Sequence, residues 1–284
     1  MFDDSSLYLV NPDETDLQQM PGTFRSEHLS WSPGGSRLAL DQGGGEFPPR
    51  NVFVLDLGGS RPQQVTDAGA YEITPAWSPD GSVIAFSSSR CCDTENSHGN
   101  NYELYIVDPS TGWVVRLTHT EGLQEVSPAW SPDGTRIAYS ASANAPAHLY
   151  VMGADGSNAR QITEGELWDN GPSWSPDGTR IAFVSELEDH SEIDVVNADG
   201  TGRRTLLDCS NPCIYIRDAV WSPDGTTILF SENRGDPGVH LRSYLELLDV
   251  ETGAVRGLDV GSLSACCAAW EAVPRMESGG RVGS

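Results

Sequence analysis

Acidic side chains recur at a nearly constant distance before the tryptophans of this chain. Three of them lie five residues before a tryptophan: Glu72, Glu125 and Asp169. Two others, Glu27 and Asp218, lie four and three residues before one. Converging carboxylates can bind a hard cation such as Ca²⁺, or a cationic or hydroxyl-rich ligand. On a chain with 41 acidic and 17 basic residues, the same carboxylates could also form a merely solvated rim.

Aromatic side chains and one histidine accompany these carboxylates. Tyr71, Trp168 and Tyr215 stand six residues before a tryptophan, and aromatic rings offer stacking and cation–π surfaces to a ligand. The predicted ligand-binding set is Glu27, His28, Tyr71, Glu72, Glu125, Trp168, Asp169, Tyr215 and Asp218. Within this set, the predicted metal ligands are Glu72, Glu125 and Asp169, with Ca²⁺ as the expected ion and no organic cofactor.

Motifs that would indicate catalysis are missing from the sequence. It contains no GxSxG nucleophile elbow, no HExxH zinc motif and no phosphate-binding loop. His28 belongs to the set above, whereas the other histidines are scattered through loops: His98, His119, His148, His190 and His240. We therefore assign no catalytic residue and expect a protein that binds its ligand without converting it.

A repeat centred on tryptophan positions these residues. Five near-copies read WSPGGSRLAL, WSPDGSVIAF, WSPDGTRIAY, WSPDGTRIAF and WSPDGTTILF, and they begin at Trp31, Trp77, Trp130, Trp174 and Trp221. A degenerate sixth copy, WEAVP, begins at Trp270. Successive tryptophans are separated by 46, 53, 44, 47 and 49 residues, the length of one four-stranded propeller blade. The sequence therefore predicts an all-β, six-bladed β-propeller.

Each unit has four predicted antiparallel strands, which we label a to d in chain order. Strand a ends at the tryptophan, a Ser-Pro-Asp-Gly turn follows, and strand b is the RIAF-type segment. Strands c and d, such as ELYIVDP and VRLT, are joined by a second turn that contains glycine. We expect the tryptophan to pack between neighbouring blades and the turn aspartates to hold the turn rather than Ca²⁺.

Because successive strands run in opposite directions, the connections between them lie on two opposite faces of the propeller. The a–b and c–d turns share one face, whereas the d–a and b–c connections share the other, which we call the long-loop face. The irregular segments belong to the long-loop face: 41–50, 87–101, 141–147, 185–191 and 231–240. Because function concentrates on variable loops and strand a is innermost, we expect the site at the mouth of the central channel on this face.

The two ends of the chain are predicted to complete one composite blade. Residues 7–13 (LYLVNPD) match strand c, residues 17–20 (LQQM) match strand d, and the segment at Trp270 supplies strand a. Such closure removes an exposed sheet edge. We expect one propeller domain over residues 1–274 and a disordered tail over residues 275–284.

The WSPDG repeat and the LYVMGADG strand together resemble the TolB-like, WD40-like (PD40) β-propeller family over nearly the whole chain. The resemblance implies a six-bladed propeller but no single function, because relatives include periplasmic binding scaffolds, propeller domains of prolyl-oligopeptidase-type peptidases and polysaccharide lyases. Two hypotheses follow. The first is a non-enzymatic scaffold that docks a peptide, protein or glycan, and the alternative is a metal-dependent polysaccharide lyase or hydrolase.

The six cysteines fall into three close pairs, and in an extracytoplasmic family an even count indicates disulfides. Adjacent cysteines have Cα atoms about 3.8 Å apart, below the usual disulfide range of about 4.4–6.8 Å, so bridges between loops are favoured over vicinal ones. The predicted disulfides are Cys209 with Cys213, and further bridges among Cys91, Cys92, Cys266 and Cys267. A zinc site that includes His98 has no CxxC spacing to support it.

The formal net charge of −24 restricts the partners. Such a surface repels nucleic acid and anionic membranes, and no run of 18 apolar residues predicts membrane insertion. We expect a monomer located outside the cytoplasm, in the periplasm, secreted or at the cell surface. The start MFDDSSLYLV lacks the features of a signal peptide, so we expect the signal or anchor segment to be absent from this sequence.

Overall fold

The structure, a computed structural model, is a series of small antiparallel sheets. It describes residues 7–11, 15–20, 26–43, 50–59, 61–90, 101–120, 122–143, 146–187, 190–209, 213–234, 242–258 and 269. Within these ranges the chain forms 22 strands. The same ranges contain no helix with the length and hydrophobicity that crossing a membrane requires.

Five four-stranded sheets follow one another along the chain, and in each the strands pair in sequence order. Blade 1 contains β3 (Leu29–Trp31), β4 (Arg37–Gly43), β5 (Arg50–Asp56) and β6 (Gln63–Gln64). Blade 2 contains β7 (Glu72–Trp77), β8 (Ile84–Ser88), β9 (Glu103–Val107) and β10 (Val114–Arg116). Blade 3 contains β11 (Gln124–Trp130), β12 (Arg136–Ser142), β13 (His148–Gly153) and β14 (Arg160–Gln161). Blade 4 contains β15 (Trp168–Trp174), β16 (Arg180–Leu187), β17 (His190–Asn197) and β18 (Arg204–Cys209). Blade 5 contains β19 (Cys213–Trp221), β20 (Thr227–Arg234), β21 (Arg242–Asp249) and β22 (Val255–Gly257).

Among the described residues the structure has five four-stranded blades, whereas the sequence predicts six. The predicted composite blade is represented by a two-stranded sheet, β1 (Tyr8–Leu9) paired with β2 (Gln18–Gln19). Leu9 and Met20 of this sheet region pack against the core of blade 1. Trp270 and the predicted tail 275–284 lie outside the described residues.

The Ser-Pro-Asp-Gly turns are held by their own side chains. In blade 3, Ser131 Oγ donates to Asp133 Oδ1 at 2.6 Å, and the backbone N–H of Thr135 donates to the same oxygen at 3.0 Å. Gly134 closes the turn with φ of 70°, a conformation that favours glycine. These hydrogen bonds lower the pKa of Asp133 to about 2. The aspartate therefore satisfies turn donors, as the sequence predicts.

Hydrophobic cores lie between neighbouring blades. One core joins Val54 of blade 1 to Trp77 and Phe86 of blade 2, and equivalent cores join the later pairs of blades. An arginine at the start of strand b covers the tryptophan of the next blade in three cases: Arg37 over Trp77 at 4.6 Å, Arg136 over Trp174 at 4.5 Å and Arg180 over Trp221 at 4.9 Å. The repeat tryptophans thus pack between blades, and strand a occupies the inner position that the site requires.

The residue before the tryptophan accepts a hydrogen bond from the next inner strand, and the bond differs between alanine and serine at this position. Where it is alanine, its carbonyl accepts the next indole N–H, from Trp130 Nε1 to Ala76 O at 3.2 Å and from Trp174 Nε1 to Ala129 O at 3.1 Å. Where it is serine, its hydroxyl accepts a backbone N–H instead, from Trp77 N to Ser30 Oγ at 3.0 Å and from Trp221 N to Ser173 Oγ at 3.1 Å. One small residue therefore connects each inner strand to the next.

A β-bulge interrupts strand a in four blades, at the third residue before the tryptophan. The bulge residues have a left-handed backbone: Thr74, Ser127, Gly171 and Asp218, with φ of 54°, 57°, 61° and 55°. Bulges of this kind redirect a strand and re-aim its side chains. Three of the four bulge residues line the cavity described next.

Candidate functional site at the channel mouth

A cavity of about 330 Å³ lies where the inner strands of four blades converge. Blade 1 contributes Glu27 and His28, and the bulges of blades 3, 4 and 5 contribute Ser127, Gly171 and Asp218. Strands a of different blades meet only around the propeller axis, so the cavity belongs to the central channel. It is the feature of the described residues that best fits the site predicted from the carboxylates.

Further polar side chains complete the cavity wall. Asn170 precedes the bulge of blade 4, Arg217 precedes the bulge of blade 5, and Glu186 comes from strand b of blade 4. Burial raises the pKa of Glu186, and the charge of Arg217 lowers it by a smaller amount. The wall therefore carries three carboxylates, Glu27, Glu186 and Asp218, together with one guanidinium and one imidazole.

His28 is held in place by a buried aspartate of the neighbouring strand. Its Nδ1 lies 2.9 Å from Asp41 Oδ2, and the backbone N–H groups of Glu27 and His28 both donate to Asp41 Oδ1 at 3.1 Å. Burial alone would lower the pKa of His28, but the hydrogen bond and the negative charge of Asp41 outweigh it and raise the pKa. The pKa of Asp41 is lowered in turn, because its bonds to His28 outweigh its own burial. His28 is therefore an oriented group that carries a positive charge more readily than a free histidine.

The carboxylates five residues before a tryptophan do not reach the mouth. Asp169 is fully buried and bonds to Arg203, whose Nη2 lies 3.0 Å from Asp169 Oδ1 and 2.6 Å from Asp194 Oδ2. Glu72 is fully buried and paired with Arg90. The structure thus places Glu72 and Asp169 in internal ion pairs.

Glu125 is buried without such a cation. It is 1% exposed, and neither carboxylate oxygen has a hydrogen-bond partner among the described residues. Nearby Glu103 takes the available donors, from Arg116 Nη2 at 2.7 Å and from Thr118 Oγ1 at 2.7 Å. Burial, with the charge of Glu103 acting in the same direction, outweighs the lowering effects of Thr118, Thr120 and Arg116 and raises the pKa of Glu125 to about 7. Glu125 is therefore a buried proton-binding group of the blade wall.

The predicted aromatic residues occupy different environments. Tyr71 and Trp168 are 40% and 44% exposed, large fractions for aromatic side chains. Trp168 lies opposite Glu186 in the strand register and two residues before Asn170, so it stands beside the cavity wall. Tyr215 lies under the guanidinium of Arg217, whose Cζ is 5.1 Å from its ring centroid. Trp168 is thus the predicted aromatic residue that the strand register places beside the cavity.

Four wall residues with polar side chains escape the sequence analysis: Ser127, Asn170, Glu186 and Arg217. Ser127 and Arg217 could have been found by aligning the positions three and four residues before each tryptophan. Glu186 belongs to strand b, and nothing in the repeat indicates that its side chain reaches the channel. The residue types do not indicate the bulges that bring these residues to one level, because three of the four left-handed bulge positions hold threonine, serine and aspartate rather than glycine.

The predicted metal ligands Glu72, Glu125 and Asp169 belong to three separate blades. Among the described residues, one group of at least three metal-ligating side chains is close enough to share an ion, and it contains His190, Glu192 and Asp208 instead. None of these three lines the cavity. Cys209 is disulfide-bonded, while the side chain of Cys213 and all of Cys91, Cys92, Cys266 and Cys267 lie outside the described residues.

Solved structures share this fold. A structure from Agrobacterium tumefaciens that is described as TolB superposes with a TM-score of 0.72, at 24% identity over 89% of this chain and 88% of that one. An oligogalacturonate lyase in complex with manganese superposes with a TM-score of 0.59, at 17% identity over 89% of this chain and 72% of that one. At these identities the likeness concerns the fold alone.

Sequence comparison gives the family. A TolB homolog from Chlorobaculum tepidum is 32% identical over 116 residues, which are 41% of this chain and 24% of that protein. The matched segments span less than half the length of the curated relatives. The family model of the TolB β-propeller domain (PD40) matches residues 94–264. With its repeat, its four-stranded blades and this match over more than half of its length, the chain belongs to the TolB β-propeller (PD40) family.

Proposed function

We propose that this propeller is a non-enzymatic binding scaffold that docks a protein or peptide partner at the channel mouth. The observation that carries the proposal is the cavity of about 330 Å³ lined by inner-strand residues of four blades. A rigid ring of β-sheets that presents a concave polar site is suited to recognition without chemistry. The described wall holds one histidine, His28, which is fixed by its bond to Asp41.

The wall chemistry favours a partner that presents a cationic segment. Glu186 and Asp218 provide two carboxylates, Glu27 provides a third that also pairs with Arg50 at 3.0 Å, and the exposed ring of Trp168 beside them offers a cation–π surface. The net charge of −24 attracts a cationic partner over a long range and accelerates encounter at low ionic strength. Arg217 and His28 give the wall a guanidinium and an imidazole, whose N–H groups would align carbonyl or carboxylate groups of a bound peptide.

A titration with peptides tests the proposal. Binding of an arginine-rich peptide is measured by calorimetry for the wild type, for Glu27→Gln/Glu186→Gln and for the control Glu166→Gln/Glu251→Gln. Both double variants remove two negative charges, but only the first removes them from the cavity wall. We expect a loss of about tenfold or more in affinity for the wall variant and little change for the control, since interfacial charge pairs contribute about 1.5 kcal/mol or more. Equal binding by the two variants would contradict the proposal.

The lyase alternative rests on the fold shared with the oligogalacturonate lyase. Of the six histidines, only His28 is among the described residues of the cavity wall, so these residues supply no histidine cluster to hold a catalytic metal there. The alternative is tested by incubating the protein with oligogalacturonate, with and without Mn²⁺, and measuring the unsaturated product of elimination. Turnover that is lost in an Asp218→Asn variant would favour the lyase over the scaffold.

Location outside the cytoplasm and a monomeric state are further parts of the proposal. The support for the location is the disulfide-bonded state of Cys209, because disulfides persist in oxidising compartments. Mass spectrometry of unreduced peptides should find Cys209 joined to Cys213. Size-exclusion chromatography with light scattering tests the monomer, and repeating the peptide titration with Ca²⁺ or with a chelator tests whether the predicted cation takes part.

A further inference from the structure

We infer that the outer strands of blade 4 carry a binding site for a first-row divalent metal ion such as Zn²⁺, formed by His190, Glu192 and Asp208. His190 and Glu192 are two residues apart on β17, so their side chains share one face of the sheet. Asp208 on β18 is the direct cross-strand partner of Glu192. Three ligands of suitable type are thus fixed by strand register rather than by a loop.

The distances fit a shared ion. His190 Nε2 lies 2.7 Å from Glu192 Oε1, and His190 Nδ1 lies 3.7 Å from Asp208 Oδ1. One ligand atom from each of the three residues can be chosen so that all lie within 4.8 Å of one another. Metal–ligand distances of about 2.0–2.2 Å in a tetrahedral site place neighbouring ligand atoms about 3.4 Å apart. Small side-chain rotations are therefore sufficient to form the site.

The pairing of the two carboxylates is a second reason to expect a cation. Like charges at directly opposite positions of an antiparallel pair are destabilising, and Glu192 and Asp208 stand in this relation. His190 lies within 4 Å of both carboxylates. A divalent ion between the strands would neutralise both carboxylates, whereas even a protonated histidine would offset only one of the two negative charges.

The donor set indicates the class of ion. One imidazole nitrogen with two carboxylate oxygens suits Zn²⁺, Co²⁺, Ni²⁺ or Mn²⁺, whereas Ca²⁺ prefers oxygen ligands alone. The side chain of Asp208 is 57% exposed, so water can fill the remaining coordination positions. The site differs from the predicted Ca²⁺ site in both its residues and its ion.

The position of the site in the blade gives it a structural role. Ser191, between the two β17 ligands, accepts the backbone N–H of Ile216 on the inner strand of blade 5 at 3.1 Å. Ile216 lines the channel cavity. An ion that clamps β17 to β18 would therefore stiffen the rim of the channel mouth without contacting a ligand in the cavity.

Binding of Zn²⁺ and Co²⁺ to metal-stripped protein tests this inference. We expect one ion per chain by calorimetry, a raised melting temperature, and Co²⁺ absorption without the intense bands of thiolate ligation. Glu192→Gln and Asp208→Asn should each weaken binding by at least about tenfold. His148→Ala is the matched control, because His148 also begins a strand c and lies 3.7 Å from a single carboxylate, Asp169.

The controls distinguish loss of the metal site from loss of folding. Circular dichroism of the metal-free variants shows whether they fold, and the conservative amide substitutions are chosen because they keep the side-chain volume. Absence of stoichiometric binding by the wild type would overturn the site. Binding that survives in His190→Ala, Glu192→Gln and Asp208→Asn would place the ion elsewhere and would also overturn it. The result does not depend on the proposed scaffold function, since it uses the metal ions alone.

Discussion

Trp31 donates its indole N–H to the backbone carbonyl of Ala269 at 3.2 Å, across 238 residues of sequence. The same bond joins Trp130 to Ala76 and Trp174 to Ala129 between consecutive blades. Ala269 immediately precedes Trp270, just as Ala76 precedes Trp77. The C-terminal segment at this point therefore stands in the same relation to blade 1 as the inner strands of blades 2 and 3 do to those of blades 3 and 4.

Replacing Trp31 with phenylalanine should weaken this contact selectively. A lost hydrogen bond costs about 1 kcal/mol, and here the Ala269 carbonyl is left without its donor. Trp77→Phe is the control, because the indole N–H of Trp77 is buried without a hydrogen-bond partner among the described residues. Urea denaturation should show a greater loss of unfolding free energy for Trp31→Phe than for Trp77→Phe, which loses no hydrogen bond. The reverse order would mean that the Ala269 contact contributes nothing.

The sequence predicts the fold well because the same strand-ending tryptophan and the same turn residues recur in successive units. Five tryptophans end five inner strands, and each Ser-Pro-Asp-Gly turn starts a strand b, so period and turn chemistry together define the blade. The sixth blade is described only through β1, β2 and Ala269, because the WEAVP segment lies outside the described residues.

The candidate site is predicted only in part, for a reason that lies in the strands themselves. Glu27, His28 and Asp218 line the cavity, whereas Glu72 and Asp169 are buried in ion pairs. Alignment by spacing finds the level of a residue along the strand but not the side of the sheet that it faces. The bulges further change the alternation, and no residue type at those positions indicates them.

Arg203 is expected to be essential for the stability of blade 4. It bonds to the buried carboxylates Asp169 and Asp194, so Arg203→Met leaves two charges without their cation. Breaking a buried pair from one side costs about 3–5 kcal/mol. Arg160→Met is the control, because Arg160 bonds only to backbone carbonyls of the neighbouring turn. Thermal melts should show a large drop for the first variant and a small one for the second.

Blade 2 lacks the arginine that covers the next tryptophan. Val83 occupies the position six residues after Trp77, where blades 1, 3 and 4 have Arg37, Arg136 and Arg180. Val83→Arg should therefore place a guanidinium over Trp130 and stabilise the protein by about 0.5–1 kcal/mol. Val83→Met supplies similar length without charge, and it should give less stabilisation in chemical denaturation. Equal gains would attribute the effect to packing rather than to the cation.

Glu125 should make the stability of the protein decrease as the pH rises from about 4.5 to 7. The pKa of this carboxyl is raised to about 7 in the folded protein from 4.5, so the folded state holds a proton that the unfolded state has already released. Each pKa unit corresponds to about 1.4 kcal/mol, which gives a decrease of about 3 kcal/mol across this range. Glu125→Gln cannot ionise and should lack this decrease.

The comparison of slopes separates Glu125 from the other titrating groups. His28, whose pKa is also raised, adds stability that is lost as the pH rises through its folded pKa, but this contribution is the same in wild type and variant. Unfolding free energies of both proteins are therefore measured by urea titration at several pH values between 4 and 8, and subtracted. The difference should change by about 3 kcal/mol and level off above pH 7. A difference that is constant with pH would show that Glu125 titrates like an exposed glutamate.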